Sequence, residues 1–403
     1  MRCDVNRFGW ICILFLSATL ILLVRLSAQD VTTARLQVAA QALSAGNLDR
    51  AENQLELVLR SSPDEHRALD LLGVIRVLQH RDTDAEELFR RAAQKKPKFA
   101  SAHAHLGLLF LQTGRTEEAV PELREAVRLD SSRVDASDAL VKIWSDQAQA
   151  ALTAGDSAKA FALLTDARKL APNNSDVQFA LGMVALRMSR FQDAINAFQE
   201  TLKLRKNDPP ALYGLGQALM SLSKYEEARQ DFTRYLALRP DDSSARCSLG
   251  MTLAALERPA EARTEFEQSI AITPVQTESY FRLGLLDLDS KDLESAAKNF
   301  QHVLDRDPKH SGALASLGRV EFEQKHYPEA ADLLRRAVTN DDSLREAHYY
   351  LGLTYARMGR KPESDQELQR ASQLDHQEAE KQRETFGSTS EPQAPAAKPD
   401  QQH

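Results

Sequence analysis

Apolar residues recur along this chain at two spacings. Within segments of about a dozen residues they fall three and four apart, the period of an amphipathic helix. Over the whole chain one short pattern returns every 34 residues. Its markers are the pairs Leu72-Gly73, Leu106-Gly107, Leu181-Gly182, Leu215-Gly216, Leu249-Gly250, Leu283-Gly284, Leu317-Gly318 and Leu351-Gly352. The step from Gly107 to Gly182 alone is longer, by seven residues. Twelve residues after each glycine stands a small residue: Ala85, Ala119, Ala194, Ala228, Ala262, Ala296, Ala330 and Ser364. Four further on stands a large apolar one: Phe89, Leu123, Phe198, Phe232, Phe266, Phe300, Leu334 and Leu368. Pro97, Pro240, Pro274 and Pro308 close four of the units. Each unit therefore reads as two helices and a turn.

Glycine inside a helix costs about 1 kcal/mol relative to alanine, so its return at one register demands a packing gain. The expectation is a close crossing between Gly at position 8 of a first helix and Ala at position 20 of a second, with the Leu and Phe positions filling the space around them. One such hairpin cannot bury its apolar face. Stacked hairpins make a continuous core in which each unit touches mainly its neighbours.

The spacing resembles the tetratricopeptide repeat, W-x2-L-G-x2-Y, then A-x3-F, then P. In that register ten repeats span 32–65, 66–99, 100–133, 141–174, 175–208, 209–242, 243–276, 277–310, 311–344 and 345–378. The first lacks Leu-Gly but keeps Gly46, Ala51, Leu55 and Pro63; the fourth has Gln147-Ala148 in that place but keeps Trp144, Gly155, Ala160, Leu164 and Pro172. The resemblance implies an all-α, right-handed solenoid of about one turn, with first helices lining a concave face. Residues 134–140 add about two helical turns without a Pro or Gly, so repeat four is expected to carry a long first helix. Residues 379–386 are polar and suit a cap, and the Gly, Ser, Pro and Gln-rich stretch 387–403 suits a disordered tail.

Composition narrows the function classes. The chain has 403 residues, with 51 Lys and Arg against 58 Asp and Glu and a net charge of −7. No cationic excess exists to neutralise phosphates, so nucleic acid is not an expected partner. Residues 1–28 begin with Arg2 and Arg7, and Phe8 to Val24 carries no charge. This is the make-up of a secretory signal, or of an anchor slightly short of the hydrocarbon core. Ala28 suits cleavage before Gln29; both outcomes place the body outside the cytoplasm, in a periplasm or cell envelope of bacterial type.

No catalytic motif, Cys pair or phosphate loop occurs, and no metal or cofactor is expected. His103 and His105, two residues apart, do not face one site on a helix. Asp241-Asp242, Asp341-Asp342 and Asn173-Asn174-Ser175 fall at repeat junctions and are expected to cap the next helix. Cys247 reads as a structural thiol. The stretch after residue 378 is too short for a catalytic domain. Function is then expected in the groove. Carrying over the family's concave positions gives Phe179, Met183, Tyr213, Gln217, Met220, Met251, Phe281, Leu285, Arg319, Phe322 and Tyr349, with Cys247 in the same stripe. These suit an apolar peptide or protein partner, and the Lys and Asn set of a carboxylate clamp is missing. Aromatics at positions 5 and 12 also commonly pack against the adjacent repeat. The reading is an exported, non-enzymatic scaffold or adaptor, with self-association open. The alternative is an accessory or regulatory subunit holding an enzyme of envelope glycan or polymer export.

Overall fold

A computed structural model describes residues 29–387. Among them the chain is helices and turns, with no strand. The helices run in pairs. α1 (29–44) precedes α2 (Leu48–Ser61), α3 (His66–Leu78) precedes α4 (Asp82–Lys95), α5 (Ala100–Gln112) precedes α6 (Thr116–Leu129) and α7 (Val134–Thr153) precedes α8 (Ser157–Leu170). Then follow α9 (Ser175–Arg187) and α10 (Phe191–Leu204), α11 (Pro209–Ser221) and α12 (Tyr225–Leu238), and α13 (Ser243–Ala255) and α14 (Pro259–Ile272). The last pairs are α15 (Thr277–Asp289) and α16 (Leu293–Leu304), α17 (Ser311–Glu323) and α18 (Tyr327–Asn340), and α19 (Arg345–Arg357) and α20 (Lys361–Gly387). Two compact units divide the chain between Ser189 and Arg190, inside the fifth repeat.

The turn inside every repeat obeys one rule. Position 15 adopts a left-handed conformation in all ten: Gly46, His80, Gly114, Gly155, Ser189, Ser223, Glu257, Lys291, Lys325 and Gly359. Residues 134–140 are part of α7, which runs unbroken for 20 residues. The polar segment 379–386 continues α20, a single helix of 27 residues. The tail beyond 387 and the apolar stretch 8–24 lie outside the described residues. Among the described residues no helix is long and apolar enough to cross a membrane.

The core of each unit is the seam between paired helices. Phe89, Phe198, Phe232, Phe266 and Phe300 are at most 1 % exposed, and burying each stabilises by about 1.5–3 kcal/mol. The glycine of the Leu-Gly pair makes room first for this residue, and at Gly107 an added Cβ would also lie 3.2 Å from the Ala119 carbonyl at position 20. A Cβ on Gly250 would lie 2.6 Å from the Phe266 ring, and one on Gly73 would lie 2.5 Å from Phe89. The repeated glycine is thus a socket for the position-24 side chain.

Candidate functional site

First helices touch the first helix of the next repeat: α3, α5 and α7 in the first unit, α11, α13, α15, α17 and α19 in the second. Side chains at positions 5, 9 and 12 lie along these contacts. Phe179 and Met183 belong to the first unit and the other nine candidates to the second. Met183 is 45 % exposed and Tyr349 42 %, while the other nine are half-buried.

Neighbours account for much of that burial. Tyr213 meets Phe232 edge-on and Tyr235 at a tilt, with ring centroids 5.7 and 5.3 Å away. Phe281 lies against Phe300 and His310, at 5.9 and 5.0 Å, and a Cβ on Gly312 would sit 3.1 Å from it. Phe322 meets Tyr327 and Tyr350. Arg319 donates to Glu346 at 2.9 Å and to Glu323 at 3.3 Å, and lies over the Tyr350 ring. Cys247 is 4 % exposed, so it belongs to the core rather than to an open stripe. Burial pushes its thiol above the usual range, opposed by a hydrogen bond with Ser279.

The first unit holds a site the sequence reading missed. A hollow of about 180 Å³ opens between α3 and α5, lined by Val74, Val77, Phe89, His105, Leu108, Leu109 and Gln112. Val74 and Leu108 stand at position 9 of their repeats and Val77 at position 12. The signal was present in that register, but aliphatic residues there look like ordinary core. His105 edges the hollow and its Nδ1 lies 2.8 Å from the carboxylate of the buried Asp70, across the repeat junction. His103 belongs to a separate network, 2.7 Å from Glu122.

The junction residues divide by role. Asn174 accepts from the Asp176 and Val177 N–H groups, and Asp242 accepts from that of Ala245, so both cap helices. Asp341 instead accepts from the N–H and hydroxyl of Ser343 in the turn, and α19 begins after Leu344 without a side-chain cap.

Stacked antiparallel hairpins with a shared register define a helical-repeat protein. The family model for the tetratricopeptide repeat matches residues 39–98, 83–134, 145–211, 179–243, 213–276 and 281–345. The chain belongs to the tetratricopeptide repeat family. No curated protein matches it. Among solved structures it is similar to MamA from Desulfovibrio magneticus RS-1 (residues 41 to end), with 22 % identity over 42 % of this chain and 97 % of that one, TM-score 0.41. It is also similar to YrrB, described as a TPR protein with an unusual peptide-binding site, with 21 % identity over 46 % and 95 %, TM-score 0.39. The APC/C hetero-tetramer Cut9-Hcn1 shares 14 % identity over 84 % and 92 %, TM-score 0.46.

Proposed function

We propose that the protein is an exported, non-enzymatic scaffold that binds protein or peptide partners through apolar contacts on its first helices. The observation that carries this reading is the hollow between α3 and α5, which takes about one apolar side chain and has the His105 ring at its edge. Met183 and Tyr349 add exposed apolar surface on first helices of the two units. Interface energy concentrates in a few such anchors, each worth about 2 kcal/mol or more. Export rests on the basic start and the uncharged stretch 8–24. The body then sits in a periplasm or envelope, released or held at the membrane.

Two measurements test the two halves. Alkaline phosphatase fused after residue 60 should be active, and a cytoplasmic-only signal rejects export. Peptides selected from a display library on the purified protein should bind with apolar anchors. Leu108→Asp or Tyr349→Asp should weaken such peptides about tenfold, a loss of about 1.4 kcal/mol, with circular dichroism unchanged. Lys298, exposed on α16 and paired with Glu294, should tolerate Ala without loss. Equal binding by all variants removes these faces from the site.

A further inference from the structure

The consensus tryptophan position, fourth in each repeat, holds Arg, Gln or His in five repeats, and four of these side chains, those after Arg35 of the first repeat, reach back to the preceding turn. His103 Nε2 lies 3.1 Å from the Pro97 carbonyl, and Gln178 Nε2 donates to that of Pro172 at 2.9 Å. Arg246 Nε donates to the Pro240 carbonyl at 3.1 Å, and His348 Nε2 lies 3.2 Å from that of Asp342. The sequence separation is 6 in every case.

A second contact distinguishes three of them. Nineteen residues on, His103 meets Glu122, Arg246 meets Glu265 and His348 meets Glu367, at 2.7, 3.0 and 2.6 Å. Gln178, the neutral member, has Ala197 at that register. Glutamate thus accompanies only side chains that can carry a positive charge, and the charge forks between a carbonyl and a carboxylate. Arg246 donates twice as a permanent cation. A histidine can match it only with a hydrogen on both ring nitrogens, because a carbonyl and a carboxylate are both acceptors. Without that proton, one ring nitrogen faces an acceptor lone pair to lone pair.

We propose that His348 is a proton-dependent bracket: the α19–α20 hairpin is tight while the His348–Glu367 pair holds its extra proton and loosens when it is lost. The ring is 3 % exposed, so water cannot replace the missing donor. Its charged neighbours are Glu367 from α20 and the Asp342 carboxylate, 3.4 Å away in the preceding turn. Arg370 of α20 pairs with Asp342 and draws off part of that second charge. With a hydrogen on both nitrogens the ring donates to the carbonyl and to the carboxylate at once, and with only one it cannot, so the bracket is complete at lower pH and incomplete at higher pH.

Hydrogen exchange of the full chain, corrected for the intrinsic rate, tests this between about pH 5.5 and about pH 8.5, the range in which imidazole changes charge. Amides of α19 and the first turns of α20 should lose protection by roughly 3- to 10-fold relative to those of α13–α14, where Arg246 makes the same fork. His348→Arg should abolish that relative change. Glu367→Gln, whose amide can donate to a neutral ring, should abolish it as well and serves if the arginine variant does not fold. A relative loss that persists in either folded variant, or no loss in the wild-type chain, overturns the proposal.

Discussion

The first helices of the two units differ in how their facing side chains are covered. On α3 and α5 they carry Val74, Val77 and Leu108, and a hollow is left between them. From α11 to α19 they carry Tyr213, Phe281 and Phe322, whose rings lie on rings of the same or the next repeat. Phe322 reaches Tyr350 of the next first helix, and Tyr213 and Phe281 pack on rings of second helices. The branched Val74, Val77 and Leu108 leave a hollow between α3 and α5. Aromatic content along such a face therefore reports packing as readily as recognition, and openness arises where the side chains are smaller.

The sharpest way to break this comparison is to remove the rings. Phe281→Ala and Tyr213→Ala should each destabilise the chain by about 2–4 kcal/mol, because half-buried rings lose contacts on several neighbours. Tyr349→Ala, with its ring 42 % exposed, should stay within about 0.5 kcal/mol. Denaturant melts report the difference. Unchanged melts for the first two would mean that their rings are free for a partner.

The glycine sockets give a second, smaller contrast. Gly73 and Gly250 stand equally close to their rings, at 2.5 and 2.6 Å from an added Cβ. Both rings are 1 % exposed, but Phe89 lines the hollow and has that space to swing into. Gly250→Ala should cost about 1–3 kcal/mol by overpacking, and Gly73→Ala about 1 kcal/mol less. Hydrogen exchange should localise each loss to the altered repeat and its neighbours, as a chain of nearest-neighbour contacts requires. Equal costs would mean that the hollow gives Phe89 no freedom.

Much of the fold was legible because the repeat writes the same contact many times. Leu-Gly, Ala and Phe at fixed offsets predicted hairpins and register, and the seven-residue insertion predicted the long α7. Which atom comes nearest the glycine was not legible: spacing shows that a gap is required, but not that the Phe266 ring comes closest to it. The site was less legible. Hydrophobicity marks positions 5, 9 and 12 without showing whether a neighbour covers them, and that depends on side-chain shape in the adjacent repeat. The hollow beside His105 was invisible for the same reason, since Val74 and Leu108 look alike whether enclosed or open. The position-4 forks were missed because their partners lie 6 and 19 residues away, in the preceding turn and the second helix.

The smallest contrast lies in the turns. Position 15 is left-handed throughout, yet the first unit places glycine there three times, at Gly46, Gly114 and Gly155, beside His80 and Ser189, while the second has Ser223, Glu257, Lys291 and Lys325 before Gly359. A side chain in that conformation costs about 1–2 kcal/mol, because Cβ crowds the following carbonyl. Glycine avoids this but gives back roughly 0.5–1 kcal/mol through the freer unfolded chain. Ser223→Gly and Glu257→Gly should therefore each stabilise by about 0.5 kcal/mol, and Gly114→Ala should destabilise by about 0.5 kcal/mol, by the same arithmetic with the sign reversed. Combining the four glycine substitutions in the second unit should make a gain of about 2 kcal/mol measurable by denaturant melts, since the sites are a repeat apart and add. A combined variant no more stable than wild type would show that side chains at position 15 recover their strain through local contacts, and that the two units are equally relaxed.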